Sequence, residues 1–207
     1  MNEDLRRKIS AIAQVAGWLW QKGWAEAGAG NISVDLSEGK ERRILITATG
    51  SKMRDIAREP EANLGIIELT DKGHRVVWPE GMGFSPTSDL AVHLEIHMRK
   101  PGLSVLHTHP TELIAIARLL PNEHEVNSAL LDALFEVPVL LPRGLGLLRP
   151  EGSRNLAVDT ANALSARDLV LWPGHGAIAV DPELTRAFDL IDVANKAAAI
   201  WLMSRDK

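Results

Sequence analysis

Residues 103–110 constrain the fold more than any other part of the chain, and they read LSVLHTHP. The aliphatic residues that lead into this segment are typical of a buried strand, on which successive side chains alternate between the two faces. His107 and His109 therefore share a face, the one that Leu103 and Val105 present to the core. On a helix the same spacing would point the imidazoles to nearly opposite sides, so the pair can chelate a metal only from an extended backbone. Two surface histidines after a strand remain the alternative.

The composition limits both the class of protein and the kind of metal site. The chain has 207 residues, 45% of them hydrophobic and 24% charged, which suits one domain with a buried core over residues 1–207. A net charge of -4 gives no reason to expect nucleic acid or a membrane surface as a partner. Cysteine is absent, so metal ligands must be His, Asp or Glu. Neither a membrane-spanning run nor a signal-peptide pattern is present, so a cytoplasmic protein is expected.

Hydrophobic periodicity predicts alternating helices and strands. Apolar residues at helical spacing predict a first helix that Gly23 ends. The predicted helices cover 3–22, 88–100, 111–120, 127–134, 153–166 with Ser153 as the cap, and a final helix opened by Pro182. One predicted strand directly follows the glycine turn at 28–30. The other predicted strands cover 43–47, 64–69, 75–78, 103–108, 137–141 and two runs within 169–180. A turn at 71–73 is predicted to join the strands at 64–69 and 75–78 as a hairpin. Without regular βαβ repetition, this order predicts a single α/β domain whose central sheet is mostly antiparallel or mixed and is flanked by helices.

Two turns rich in small residues suggest an anion pocket. Residues 28–30 precede Asn31, and residues 48–52 combine a glycine with hydroxyl side chains. Such turns bring backbone N–H groups close to a ligand, as a phosphate site requires. The turn at 28–30 by itself is more typical of a tight hairpin entry than of an anion site, and Lys52 is more often solvated than a ligand.

A helix start at 85–89 adds a third candidate anion contact. Thr87 or Ser88 is expected as the N-cap, with Asp89 as an acid in the first turn. Hydroxyls and free N–H groups at a helix N-terminus favour a phosphate.

Asp89, His93 and His97 recur every four residues along this helix, so they form a possible rival metal site. Hydrogen-bonded packing is the favoured interpretation of the two histidines. Three apolar residues are expected to face the core: Leu90, Leu94 and Met98.

His175 lies on the turn between the last two predicted strands and is flanked by glycines. Because glycines leave no bulky neighbours, its imidazole can approach a site closely. It is therefore the candidate third ligand beside His107 and His109.

Motifs along nearly the whole chain resemble those of the class II aldolase and adducin family. They are 22–26 with Gly30 and Asn31, 49–51, 62–66, 86–89, 107–109, 113–115, 169–173 with His175 and Gly176, and 190–192. The resemblance implies the fold of that family and makes the metal interpretation of the histidine pair the favoured one.

The resemblance implies a zinc ion on His107, His109 and His175, although such sites also accept cobalt, manganese or nickel. Three neutral imidazoles leave coordination positions open, as in a catalytic metal site. It also implies a set of residues that hold a substrate phosphate: Asn31, Thr49, Gly50, Thr87 and Ser88.

Two acids take catalytic roles by the same resemblance. Asp89 stands where the family has a glutamate acid/base, which keeps the chemistry but shortens the reach by one methylene. Glu136 matches an acid that relatives supply from a neighbouring subunit, which implies a homo-oligomer, with a tetramer expected.

The implied reaction is cleavage of a ketose 1-phosphate, with L-rhamnulose 1-phosphate as first candidate, to dihydroxyacetone phosphate and an aldehyde such as L-lactaldehyde. The chain has no tyrosine, a residue on which fuculose-type aldolases and pentulose-phosphate epimerases of the family rely. A sugar-phosphate dehydratase or epimerase remains an alternative. So does a non-catalytic interaction domain like the adducin head, although the three histidines count against it.

Overall fold

An eight-stranded sheet, with helices on both faces, forms the centre of the computed structural model, which describes residues 2–38, 41–70, 73–79, 83–150 and 155–205. The strands are β1 (Asn31–Asp35), β2 (Arg43–Thr47), β3 (Leu64–Thr70), β4 (Gly73–Trp78), β5 (Ser104–Thr108), β6 (Gly146–Leu147), β7 (Leu169–Trp172) and β8 (Gly176–Asp181). The helices are α1 (Glu3–Lys22), α2 (Met53–Arg58), α3 (Pro60–Asn63), α4 (Leu90–Arg99), α5 (Thr111–Leu119), α6 (Glu123–Ala133), α7 (Val137–Leu140), α8 (Leu156–Ala166) and α9 (Leu184–Ser204).

The strand order is β4-β3-β2-β1-β5-β8-β7-β6. All the neighbouring pairs between these described strands are antiparallel except β6 and β7, which are parallel. The predicted class, a single α/β domain with a mixed, mostly antiparallel sheet, is confirmed. The strand that carries the first histidine, β5, lies in the interior of the sheet between β1 and β8.

Alternate residues of β5 enter two separate apolar cores, one on each face of the sheet. Leu106 packs in the larger core, to which α1, α5, α6 and α9 contribute. Val105 packs in the smaller core, which α4 and α8 cover. Because both faces are buried, the alternation fixes which side of the sheet carries His107.

The first helix follows the predicted pattern closely. Asn2 caps it by accepting a hydrogen bond from Leu5 N–H, and Gly23 ends it with a left-handed φ of 69°. The predicted core positions are all buried: Ile9, Ile12, Val15, Ala16 and Leu19.

The prediction of a strand at 137–141 is wrong, because these residues form the short helix α7. Pro138 lies in its first turn, where a backbone N–H has no acceptor within the helix. The N–H that proline lacks therefore costs the helix no hydrogen bond. A short apolar run cannot by itself distinguish a strand from a buried helical turn. Glu136 is therefore the N-cap residue of a helix and not the entry to a strand.

Two further helix boundaries also differ from expectation. Helix α6 begins at Glu123 and not at 127, because Asn122 caps it by accepting from Glu125 N–H. In α4 the N-cap is Asp89, without a side-chain capping bond, and Thr87 Oγ1 instead accepts from Asp89 N–H at 3.3 Å.

The orientation of α4 also differs in part from expectation. Leu90 and Leu94 pack against a small apolar cluster on β2 and β3, as predicted. Met98, in contrast, is 44% exposed. Four residues of α4 are buried: Val92, His93, Ile96 and His97.

Some predicted features fall outside the described residues, namely Ser153 as a helix cap and residues 71 and 72 of the hairpin turn. Asn155 caps α8 by accepting from Val158 N–H, and α9 begins at Leu184, two residues after Pro182. Among the described helices, none is both long and apolar enough to cross a membrane.

Candidate metal centre and anion pocket

Three histidine side chains converge at one end of β5. The ring centroids of His107 and His109 lie 5.2 Å apart, and each lies 5.1 to 5.3 Å from the ring of His175. One nitrogen from each imidazole lies within 4.8 Å of the others. The expectation that His107 and His109 share a face is confirmed, and the turn before β8 brings the third histidine to them.

The end of β5 is anchored to the segment that follows α1. Thr108 Oγ1 donates to Trp24 O at 2.6 Å, and His109 N–H donates to the same oxygen at 2.8 Å. This attachment brings residues 24–26 against the histidines, although they lie more than 80 positions away in the sequence.

Hydrogen bonds fix the proton positions on two of the imidazoles. His107 Nδ1 lies 3.0 Å from Ala177 O, and His109 Nδ1 lies 2.7 Å from Glu26 Oε1. A carbonyl and a carboxylate only accept, so each Nδ1 carries a proton and donates it. The Nε2 lone pairs remain available, which is the usual arrangement of histidine ligands with an outer carboxylate or carbonyl partner.

The local electrostatics favour neutral imidazoles. Burial lowers the pKa of His107 to about 4, and burial together with the neighbouring His109 also lowers the pKa of His175. Burial acts to raise the pKa of Glu26, but the hydrogen bond from His109, a backbone hydrogen bond and the charges of the nearby imidazoles together outweigh it, and the net pKa lies below the usual value. Two imidazoles are thus held neutral beside an ionised Glu26, as binding of a divalent cation requires.

Trp172 packs against two of the three histidine rings. Its ring lies 5.1 Å from that of His107 and 5.2 Å from that of His175, measured between centroids. Its indole N–H donates to Thr160 Oγ1 at 3.2 Å, which fixes the ring plane. The apolar indole therefore packs beside these two imidazoles without offering a ligand atom.

Gly176 allows the His107 and His109 rings to lie close to the start of β8. A Cβ built at this position would lie 2.6 Å from Thr108 O, 2.8 Å from a carbon of the His109 ring and 2.9 Å from one of the His107 ring. Distances below 3.0 Å are not tolerated by real Cβ atoms. The absence of a side chain is therefore a condition for the donor set, and the residues present fit a metal ion.

The histidines open onto a cavity of about 250 Å³. Its lining combines the three imidazoles with two glycine turns, hydroxyls and one carboxylate. The lining residues are Gly28, Ala29, Gly30, Asn31, Ala48, Thr49, Gly50, Thr87, Ser88, Asp89, His107, His109 and His175. All the residues expected to hold a phosphate therefore share one cavity with the candidate metal ligands.

The anion side of this cavity is built by cross-links between loops. Thr49 N–H donates to Ser85 O at 2.9 Å, and Thr87 N–H donates to Thr47 O at 3.0 Å. Among the described residues no acceptor is found for Gly50 N–H or Ser88 N–H. Gly50 adopts a φ of +73°, which favours glycine. These two free donors point to an anion site at this wall.

Asp89 lies between the metal side and the anion side. Its Oδ2 accepts from Asn31 Nδ2 at 2.7 Å and lies 3.9 Å from His107 Nε2. The carboxylate is thus beside the metal position without displacing a histidine ligand.

The structure supports packing, and not a metal site, for the two histidines of α4. His93 is hydrogen-bonded to Ser33 and Asn31, and His97 to the same serine. Within the described part of the chain, His107, His109 and His175 are the only group of three or more His, Asp or Glu side chains whose donor atoms lie close enough to share a metal ion.

Two other candidates lie outside the cavity of this chain. Glu136 is exposed at the start of α7 and is not among the cavity's lining residues. Lys52 is exposed as well. A role for Glu136 in this cavity therefore requires a second subunit.

Sequence reasoning missed the supporting residues Glu26 and Trp172, and it gave Gly176 only as a small neighbour of His175 and not as a contact of His107 and His109. Each lies within a motif that was recognised, but their contacts cross from one element to another. The one sequence signal for such a contact was the carboxylate of Glu26 in the 22–26 motif, which is the hydrogen-bond partner of His109.

We expect the Gly176→Ala substitution to lower metal affinity about 10-fold or more, because the new methyl group forces the imidazoles or the Thr108 carbonyl apart. Isothermal titration of the metal-free protein with zinc measures this. Gly17→Ala is the matched control, since a Cβ there would lie at an ordinary 3.7 Å from its neighbour. Equal affinities for the two variants would contradict the role of Gly176.

We expect Glu26→Ala to lower metal affinity about 10- to 100-fold, since His109 loses the carboxylate that orients its ring. A competition assay with a chromogenic chelator gives the affinity. Glu59→Ala, at an exposed position outside the cavity, should leave it unchanged. Unaltered affinity in the Glu26 variant would show that the hydrogen bond does not support the ligand.

Comparison with known proteins places the chain in a family. A family model described as the class II aldolase and adducin N-terminal domain matches residues 10–202. A rhamnulose-1-phosphate aldolase of Bacteroides thetaiotaomicron is 34% identical over 98% of this chain and 87% of its own length. The crystal structure of a sugar-phosphate aldolase from Thermotoga maritima is 31% identical, covers 97% of this chain and 95% of its own, and superposes with a TM-score of 0.85. An L-fuculose-1-phosphate aldolase structure from Thermus thermophilus is 26% identical, with coverages of 97% and 96% and a TM-score of 0.74. The chain therefore belongs to the class II aldolase and adducin family.

Proposed function

We propose that this chain is a metal-dependent lyase that cleaves a ketose 1-phosphate. L-Rhamnulose 1-phosphate is the first candidate substrate, with dihydroxyacetone phosphate and L-lactaldehyde as products. The observation that carries the proposal is that three histidines, a carboxylate and the candidate phosphate contacts line a single cavity. The names of the similar aldolases support the substrate class.

His107, His109 and His175 are the proposed ligands, and zinc is the proposed metal. Three nitrogen donors and no thiolate suit zinc, and they leave coordination positions open. When bound there, the ion supplies Lewis-acid polarisation of the substrate carbonyl. The protein's part is to keep His107 and His175 neutral by burial, and to align His107 through Ala177 and His109 through Glu26.

The substrate phosphate is proposed to lie against the two turns and the start of α4. Gly50 and Ser88 offer backbone N–H groups, and Thr49, Thr87 and Ser88 offer hydroxyls. No arginine is needed, because converging N–H dipoles and hydroxyls hold an anion. Asn31 keeps one amide hydrogen beyond the one that it donates to Asp89.

Asp89 is the proposed acid/base. Its carboxylate is partly exposed to the cavity and lies 3.9 Å from a proposed metal ligand, so it can exchange a proton with a carbon or oxygen of a substrate held there. Cleavage of the C3–C4 bond requires that the C4 hydroxyl lose a proton and that C3 gain one. We assign delivery of the proton at C3 to Asp89 in its protonated form, and acceptance of the C4 hydroxyl proton to Glu136 of a neighbouring subunit.

Glu136 is the proposed partner for the aldehyde oxygen, delivered by a neighbouring subunit. It lies beside exposed apolar side chains, with Phe135 85% exposed and Val139 68% exposed. Exposed apolar residues of this size are typical of a protein contact. A homotetramer in the cytoplasm with its sites at subunit contacts is the proposed assembly.

The proposed reaction predicts release of dihydroxyacetone phosphate from L-rhamnulose 1-phosphate by zinc-loaded protein. Glycerol-3-phosphate dehydrogenase and NADH report this product, and NMR identifies the aldehyde. A chelator should abolish the release and added zinc should restore it. Asp89→Asn should lower kcat about 100-fold or more, because it removes the proton carrier and keeps the size.

The other outcomes are distinct. Bound metal with loss of substrate but no dihydroxyacetone phosphate would favour the dehydratase or epimerase alternative. A metal content near zero in the purified protein after zinc loading would favour a non-catalytic domain. Either result would overturn the aldolase proposal.

A site shared between subunits predicts complementation between two inactive variants. Asp89→Asn and Glu136→Ala should each have low activity alone, because each lacks one acid in every site. Co-expressed, they should form hybrid oligomers in which some sites carry both native acids, so part of the activity returns. Hybrids no more active than either parent would place both acids in the same chain, and full activity of Glu136→Ala alone would exclude a role for Glu136.

A further inference from the structure

We propose that Ser33, His93 and His97 are positioning residues for the acid/base Asp89. With Asn31 they form a chain of hydrogen bonds, called the relay here, that starts at His97, ends at Asp89 and donates in one direction. The inference rests on the proposed function of Asp89, and it gives a role to the buried polar residues between β1 and α4.

The relay consists of four consecutive short hydrogen bonds. His97 Nε2 lies 2.7 Å from Ser33 Oγ, which lies 2.6 Å from His93 Nδ1. His93 Nε2 lies 2.6 Å from Asn31 Oδ1, and Asn31 Nδ2 lies 2.7 Å from Asp89 Oδ2. Among the described residues, the side-chain atoms that form these four bonds make no other hydrogen bond.

The direction in which each hydrogen bond of the relay donates follows from the protonation of His97, where the relay starts. His97 Nδ1 is buried and has no hydrogen-bond partner among the described residues. A buried N–H without an acceptor is costly, so the proton of the neutral ring belongs on Nε2. His97 therefore donates to the Ser33 hydroxyl, and that hydroxyl donates its single proton to His93 Nδ1.

The remaining steps then have no freedom. His93 accepts at Nδ1, so it carries its proton on Nε2 and donates to Asn31 Oδ1. This bond turns the Asn31 amide so that its NH2 group, and not its oxygen, faces Asp89. Burial lowers the pKa of His97 to about 4 and that of His93 well below its usual range, so both rings are neutral, as the assignment requires.

The relay has features that packing alone does not require. Ser33 and His93 have no exposed surface, and His97 is 1% exposed. Burying these polar groups is costly unless each is satisfied, and apolar residues of similar size would fill the same volume. The polar alternative orients one amide group toward a carboxylate in the cavity.

The backbone around the relay is held on both sides. Arg42 donates to His97 O at 2.9 Å and to Met98 O at 3.0 Å, which fixes the last turn of α4. On the other side Asn31 is paired with His107 across β1 and β5. The relay therefore keeps Asp89 at a set distance from the proposed metal ligand, a distance that the short aspartate side chain cannot recover by itself.

The first test measures the tautomers directly and needs no substrate. Two-bond 1H–15N correlation spectra of histidine-labelled, zinc-loaded protein distinguish the Nε2–H from the Nδ1–H form of each ring. We expect the Nε2–H form for both His93 and His97 near neutral pH, with assignments made from the His93→Gln and His97→Gln variants. An Nδ1–H form for either ring would reverse a link and overturn the relay.

The second test compares two replacements of His93. Glutamine offers an acceptor toward Ser33 and a donor toward Asn31, whereas leucine has similar bulk and offers neither. We expect His93→Leu to lower kcat about 10- to 100-fold, with KM and zinc content near wild type, and His93→Gln to recover most of the loss. Equal losses in both variants, or changes only in thermal stability, would reduce His93 to a packing residue.

Ser33→Ala provides a milder break if His93→Leu does not fold. It removes one hydroxyl, and we expect a lower kcat together with a mixture of tautomers at His93. A wild-type protein that releases no dihydroxyacetone phosphate would overturn the proposed function, while the tautomer spectra would still decide for or against the relay.

Discussion

The antiparallel register of β5 with its two neighbours is the constraint on which the rest of the site depends. It pairs His107 with Asn31 on β1 and with Ile178 on β8. One pairing thereby brings the first candidate ligand beside the residue that contacts Asp89, and the other brings in the turn that carries His175. Because side chains alternate along a strand, a slip of one residue would turn His107 into the opposite core.

The same register explains why the site tolerates so little variation in shape. At the β5 and β8 pair the backbone and two imidazoles come so close that even a Cβ at Gly176 does not fit. His107 is buried, so its imidazole stays neutral and keeps its lone pair, and Trp172 packs against it without offering a competing ligand. Burial thus provides both the donor geometry and the protonation state that a cation needs.

Prediction from the sequence was strongest where local pattern and local structure coincide. The first helix has its predicted bounds and core, since its cap, apolar spacing and terminal glycine all act within a few residues. It was weakest for short apolar runs: residues 137–141 contain too few positions for periodicity to separate a strand from the helical turn that contains Pro138. The face of α4 was also misjudged at Met98, because buried hydrogen bonds, and not hydrophobicity, place His93 and His97 inward.

The sequence by itself determined the family, the common face of His107 and His109, and the residue types that can bind a metal, because strand periodicity and motif order are properties of the chain alone. Only the tertiary structure decided which partners those residues meet. Glu26 reaches His109 across 83 positions, and Ser33 reaches His93 across 60. Contacts over such separations follow from how the sheet pairs and how helices pack upon it, and no local pattern encodes them.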